Sequence, residues 1–212
     1  DYKFYDVAYP VTEFIFKSVY SQGQLTDALF TTNISRDLNL SLAFKALRSL
    51  GKYQNNLSGS KHFRFSFSYT GKKIDSKIFF ISQKLEKHEN GGLNDSSLID
   101  FESGNEEFKE RSKLNVNFED AQNIYQTRNF YFNNKFTLIN KKENLVSISY
   151  NLDYETTNNK FEQDQSSYLY GSIVAGKNKI NDHYKFRSLK NTFSIDTNTK
   201  LLDELTLSFI NY

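Results

Sequence analysis

The segment HFRFSFSYT, residues 62–70, decides the fold class of this chain. Its aromatic residues occupy every second position, and the residues between them are polar or basic. Successive side chains of a β-strand point to opposite faces, so this segment would have one aromatic and one polar face as a strand. An amphipathic helix would instead need apolar residues three and four positions apart. The segment is therefore predicted to be a strand that separates two different environments.

The same alternation recurs along the chain, clearly over residues 38–46 and 145–155 and more weakly in six further segments. The weaker segments are residues 11–20, 24–35, 74–84, 128–140, 185–196 and 204–212. Nine strands are thus predicted, and no segment has a clear helical pattern. A single Pro in 212 residues fits long, uninterrupted ladders of backbone hydrogen bonds.

Short and long connections alternate along this predicted single domain, residues 1–212. Short turns are expected near 36–37, 71–73, 141–144 and 197–203, and long polar loops near 48–61, 85–127 and 156–184. In an up-and-down sheet, alternate connections emerge at the same end. The tight turns are therefore predicted at one end and the long loops at the other, as in outer-membrane barrels.

The composition excludes several classes of protein. The chain has 20 Phe and 14 Tyr but no Cys, which rules out disulfides and thiolate metal sites. No run of apolar residues is long enough for a transmembrane helix. A net charge of +2 gives no sign of nucleic-acid binding. The absence of Met indicates a processed or excised chain.

These patterns favour an all-β protein, an antiparallel up-and-down transmembrane β-barrel whose aromatic face meets lipid and whose polar face meets the lumen. A soluble β-sandwich also has one apolar face per strand and is the alternative. Sandwiches do not usually keep their long loops at one end, and loops of roughly 30–40 residues are uncommon in compact domains.

Four strings of residues carry a family resemblance. They are PVTEFIFKSVYSQGQLTDAL at 10–29, AFKALRSLGKYQN at 43–55, SQKLEKHENGGLNDSSLIDFESGNEEFKER at 82–111 and NFEDAQN at 117–123. Together they resemble the putative porin family of Bacteroidota, Gram-negative bacteria, over almost the whole chain. The resemblance implies a β-barrel in the cell outer membrane, made as a precursor with a signal peptide and without enzyme activity.

Nine strands is an odd number, whereas bacterial barrels have an even number of strands. The chain is therefore expected to be an internal portion of a longer member of this family. The expected partners are outer-membrane lipid and other outer-membrane proteins, with no cofactor and no nucleic acid.

Six charged residues are predicted to line the lumen because they alternate with the apolar positions: Lys17, Lys45, Arg64, Lys135, Asp153 and Lys190. Their basic bias would favour anions in an open pore, since rings of charge set pore selectivity. Paired charges filling a closed barrel are the alternative interpretation. The counter-charges on this face are Glu13, Asp153, Glu155 and Asp196.

Two sets of loop residues are weaker candidates. Arg48, Lys52 and Tyr53 could latch their loop into the lumen or contact a ligand. Asp100 and Glu102 faintly resemble a Ca²⁺ site, but their spacing does not fit an EF-hand loop. No catalytic motif occurs, so no metal site and no catalytic residue is predicted.

Three functions remain open from the sequence. The first is a porin-like passive channel for small solutes. The second is an accessory barrel of a larger outer-membrane complex, with a plugged lumen. The third is a secreted β-sandwich that acts as a binding module.

Overall fold

Nine strands form one antiparallel sheet in which every strand pairs with its neighbours in sequence. The computed structural model describes residues 2–19, 23–141, 144–165, 167–174, 179–199 and 202–211. The strands are β1 (Val11–Val19), β2 (Gly23–Ser35), β3 (Leu38–Ser49), β4 (Ser58–Thr70), β5 (Ile74–Glu89), β6 (Ala121–Lys141), β7 (Asn144–Gln163), β8 (Ile180–Thr199) and β9 (Leu202–Asn211). The predicted nine up-and-down strands are confirmed. Within the described residues β1 and β9 do not pair, so the sheet is open.

The sandwich alternative is wrong for the part of the chain that the structure describes. A sandwich needs two packed sheets, whereas all nine strands belong to one. The apolar face of this sheet therefore has no second sheet to cover it.

The strands toward the C-terminus are longer than the alternation predicted. β6 has 21 residues, and β7 and β8 have 20 each. Their extra residues are mostly polar and lie next to the long connections. There the alternation of side chains ends, but the ladder of backbone hydrogen bonds continues. At about 3.3 Å per residue, β6 spans roughly 70 Å, more than twice the ~30 Å of a hydrocarbon core.

The connections are shorter than expected, because the strands β3 to β8 all extend beyond their predicted segments. The long ones comprise residues 50–57, 90–120 and 164–179, instead of 48–61, 85–127 and 156–184. Residues 36–37 and 71–73 form the first two short turns. The other two predicted turns, near 141–144 and 197–203, centre on residues 142–143 and 200–201, which lie outside the described residues.

One short α-helix, α1 (Asp95–Glu102), lies within the connection from β5 to β6, where the sequence predicted no helix. Its N-cap is Asn94, whose side-chain oxygen accepts a hydrogen bond from the Ser97 amide at 2.9 Å. Eight residues make only two turns, too few for a readable apolar period. Among the described residues, no helix is both long and apolar enough to cross a bilayer.

The two faces of the sheet have an exposure opposite to that of a soluble protein. On the aromatic face, Phe14 is 68% exposed and Phe193 is 53% exposed. On the polar face, Ser41, Ser66 and Ser147 are buried. Removing a large apolar side chain from water is worth roughly 1.5–3 kcal/mol. Because the aromatic face has many such side chains, it strongly favours contact with an apolar environment over contact with water.

The apolar band shifts along the strands from one edge of the sheet to the other. One row of paired residues starts at Phe16 on β1, passes through Ala46 on β3 and Lys61 on β4, and ends at Lys185 on β8. The same row is thus apolar at one edge and basic at the other. Strands that tilt relative to a membrane produce this shift. Residues at the same depth in the bilayer then belong to different rows of paired residues on successive strands.

Candidate functional site

The polar face of the sheet is the candidate site, and it contains all six charged residues named from the sequence. Their positions follow from the strand registers: Lys17, Lys45, Arg64, Lys135, Asp153 and Lys190. Each of them is next in sequence to a residue of the aromatic face and therefore points to the opposite side of the sheet. Residues opposite each other in an antiparallel pair share a face, so the six lie on one surface. The pairing of strands thus collects six separate positions onto one surface.

Carboxylates on this face neutralise part of its positive charge. The Lys45 ammonium lies 2.9 Å from Asp27, and the Lys135 ammonium lies 3.7 Å from Asp196. Asp153 is opposite Lys190 in the pairing of β7 with β8. The Lys135–Asp196 pair joins two residues that the sequence had placed on this face, whereas Asp27 was not foreseen.

Two of the basic residues named from the sequence have no such compensation. Lys17 and Arg64 form no ion pair within 4 Å in the residues that the structure describes. In register, Arg64 lies between Ala43 and Ile81, which carry no charge. Arg64 is therefore the clearest source of a positive potential on the polar face.

The segment before β1, residues 2–9, crosses the polar face, a feature that the alternation pattern could not reveal. The Tyr2 ring stacks on Tyr131 with centroids 4.4 Å apart and meets the edge of Phe79 at 5.0 Å. Its hydroxyl donates a 2.5 Å hydrogen bond to Asp153. Phe79 places an aromatic ring on the polar face, and this irregularity in the alternation of β5 was a sequence signal of the contact.

A second set of contacts holds the same segment further along. The Asn33 amide donates to Asp6 at 2.8 Å, and the Val7 amide donates to the Asn33 side chain at 3.4 Å. Lys77 lies over the Phe4 ring at 5.4 Å, a cation–π distance. The N-terminal segment therefore occupies part of the face that would line a lumen.

We expect this docking to weaken at high pH. Burial, and then the hydrogen bond and charge of Asp153, raise the pKa of Tyr2 above its ordinary value of 10.0. A raised pKa means that the neutral phenol is the docked form, so docking is complete below pH 10 and is lost as the pH rises further.

A label on Lys3→Cys can report the docking, because the chain has no other Cys. Its fluorescence anisotropy should fall above pH 10. In Tyr2→Phe, which cannot ionise, the anisotropy should not change over the same range. An equal fall in both proteins would contradict the role of Tyr2.

The three long connections meet and form a loop cap, defined as residues 50–57, 90–120, 164–165 and 167–174. Phe118 of the second connection stacks on Tyr170 of the third, with centroids 5.5 Å apart. The Gln165 amide donates to Asp120 at 2.7 Å. Gly91 has φ of +65°, and a Cβ there would lie 2.7 Å from the Phe118 ring. Glycine is therefore required at 91.

Asn55 joins the first connection to the second. Its side-chain amide donates to the carbonyls of Glu89, Phe118 and Ala121, at 2.9, 3.1 and 3.3 Å. These carbonyls lie where the chain leaves β5 and re-enters β6. Asn55 also has a positive φ of 46°, which Asn tolerates better than most residues. Asn55 therefore closes the base of the longest connection.

The three loop residues named from the sequence have different positions. Arg48 lies on the outward face of β3, opposite Gly59. Lys52 and Tyr53 form no hydrogen bond or ion pair in the described part of the chain. Their neighbours make the contacts: Gln54 donates to the Ser112 carbonyl at 3.0 Å, beside the bonds of Asn55. In the string AFKALRSLGKYQN, the side-chain amides of Gln54 and Asn55 therefore make the contacts between loops, and within the described residues the charged side chains do not.

Replacing Asn55 with Ala should open the loop cap. The variant loses the donated bonds and strains a positive φ, a loss of about 1–3 kcal/mol. Limited proteolysis within residues 90–120 should therefore become about tenfold faster or more. Lys52→Ala is the matched control and should be cut at the wild-type rate. Wild-type resistance of Asn55→Ala would contradict the closing role of Asn55.

Asp100 and Glu102 both lie in α1, inside the loop cap. Over the described residues, no group of three or more His, Asp or Glu side chains is placed to hold a metal ion. The Asp100 carbonyl accepts a hydrogen bond from the Ser103 hydroxyl at 2.7 Å, which is a helix-end contact. The structure gives the two carboxylates no shared geometry for Ca²⁺.

Comparison with known proteins gives one match. A family model described as a putative porin matches residues 1–211, nearly the whole chain. No curated protein and no solved structure shows significant similarity.

Proposed function

Since the chain belongs to the putative porin family, a family of outer-membrane β-barrels, we propose that it is a passive channel for small solutes. The polar face would line the lumen, and the aromatic face would contact lipid. Solutes would be selected by lumen width and by inward charge, with no covalent step. Family membership likewise supports an outer-membrane location and a role without enzyme activity.

The observation that carries this proposal is the inverted exposure of the two faces. Outward side chains such as Phe16, Phe136 and Phe209 are exposed, whereas inward Thr31, Asn39 and Ser66 are buried. In water such a sheet would aggregate through its apolar face. In a bilayer the same face is solvated by lipid, and closure of the sheet satisfies the edge hydrogen bonds.

The proposal is tested first by the behaviour of the purified full-length protein in detergent. A closed barrel should resist SDS until boiled and then shift in gel mobility. Extraction into buffer without detergent would overturn the membrane assignment. Stepwise conductance in a planar bilayer should then follow, and a silent bilayer from a heat-shifting protein would contradict the open channel.

A second function is favoured by the N-terminal segment. Tyr2 and Phe4 pack on the polar face, and ion pairs such as Lys45–Asp27 fill part of its width. A lumen occupied in this way fits an accessory barrel that conducts little and binds other outer-membrane proteins. Co-purification of stoichiometric partners, together with a silent bilayer, would select this function over the channel.

A further inference from the structure

A cluster of cations on the membrane-facing side has no role in the channel. It lines a recess of about 410 Å³ on the outward face of β6, β7 and β8. Arg128, Lys185 and Arg187 are on its loop side, and Phe80, Phe130 and Tyr154 are on its membrane side. The registers place all six on the same face, opposite the lumen charges.

The arrangement is ordered along the strands. Phe80, Phe130 and Tyr154 form one row of paired residues. The next row of this face toward the loop cap contains Arg128 and Arg187, with only Thr156 between them. The row after that contains Lys185. The recess therefore changes from aromatic to basic over two rows, at the border of the apolar band.

The three cations lack protein counter-charges. Arg128, Lys185 and Arg187 are exposed, and within the described residues none has a carboxylate within 4 Å. On the same face, Glu86 lies 2.9 Å from Lys84 and Glu162 lies 2.5 Å from Lys160, so both carboxylates are already paired. Glu155 belongs to the opposite face by register. Three like charges beside an apolar band repel one another unless an anion joins them.

The chemistry of the recess indicates its ligand. Guanidinium groups bind phosphate oxygens in a bidentate manner, and a nearby ammonium adds a point charge. The adjoining aromatic rings offer surface to acyl chains. A ligand that presents phosphate and acyl chains at this level must itself be a membrane lipid. A phosphorylated glycolipid suits the site because it presents phosphates on a broad sugar head group above several chains.

We propose that Arg128, Lys185 and Arg187 bind the phosphate groups of an acylated glycolipid in the leaflet on the loop side. This inference rests on the proposed function, because it needs the aromatic face to lie in a membrane. The bound lipid would neutralise the cluster and fix the barrel at its depth in the bilayer.

The test compares the wild-type protein in detergent with R128Q/K185Q/R187Q. The probe is a bis-phosphorylated, acylated disaccharide lipid, and binding is followed by native mass spectrometry and by titration. The triple variant should bind on the order of 100-fold more weakly, since each cation contributes about a factor of five near a lipid surface. The matched control K52Q/K72Q/K73Q removes three loop and turn cations and should bind as the wild type does.

Three results would overturn the proposal: unchanged affinity of the triple variant, equal binding of the dephosphorylated glycolipid, or equal binding of phosphatidylglycerol or inorganic phosphate. The triple variant should keep the heat-dependent gel shift, which shows that it folds. Failure of the wild type to shift or to conduct would count against the proposed channel, and the titration in detergent separates that failure from loss of the lipid site.

Discussion

Replacing Arg64 and Lys135 together with glutamate is expected to reverse the ion preference of the proposed channel, from anions to cations. Both side chains lie on the polar face, and Arg64 has no ion pair within the described residues. The change also leaves Asp196 without its partner Lys135, which lies 3.7 Å away. The face would therefore lose two cations and expose three acidic groups. The reversal potential under a salt gradient measures this directly.

The single variants divide the effect between the two residues. Arg64→Glu should shift the reversal potential more than Lys135→Glu, because Lys135 is already paired with Asp196. The control K72E/K73E makes the same change in net charge at an exposed turn and should leave the preference unchanged. An unaltered preference in the double variant of a conducting protein would refute the assignment of these residues to the lumen.

Removing the rings of the N-terminal segment is expected to raise the conductance. In Tyr2→Ala with Phe4→Ala, the stacking on Tyr131, the edge contacts with Phe79 and the bond to Asp153 are lost. These contacts together are worth about 2–4 kcal/mol of docking. The segment should then leave the polar face, and single-channel conductance should rise about twofold or more.

Two controls make this result specific. Tyr9→Ala changes an aromatic residue of the same segment that is 81% exposed, and it should conduct as the wild type does. Tyr2→Phe keeps the rings and loses only the hydrogen bond, so its conductance should be intermediate. A double variant that conducts no better than the wild type would show that the docked segment does not narrow the lumen. A silent double variant that still shifts on heating would favour the accessory function.

The fold was readable from the sequence because one physical rule repeats along it. Phe63, Phe65, Phe67 and Tyr69 alternate with polar residues, and that period fixes both the strand and its two faces. The same alternation places the six charged residues on the polar face. The ends of β6, β7 and β8 did not follow, because backbone pairing continues where the side chains no longer alternate.

The candidate site was predictable in its membership but not in its contacts. The alternation of side chains places Lys45 and Lys135 on the polar face. Their ion pairs with Asp27 and Asp196 depend in addition on the strand registers and on the length of the side chains. The sequence pattern indicated the charged neighbours of Asn55 and not Asn55 itself. The role of Asn55 depends on hydrogen bonds to three backbone carbonyls of residues 34 to 66 positions away in the chain. No local pattern contains that information.

The sequence by itself determined that this chain is a nine-stranded sheet with one aromatic and one polar face, since side-chain alternation is a local consequence of strand geometry. The tertiary structure alone decided which residues meet on each face and which segments pack there. It placed Tyr2 on the polar face and joined the three long connections through Asn55 and Phe118. It also brought Arg128 and Arg187 to one recess across Thr156. Such contacts depend on which residues become opposite each other when distant strands pair.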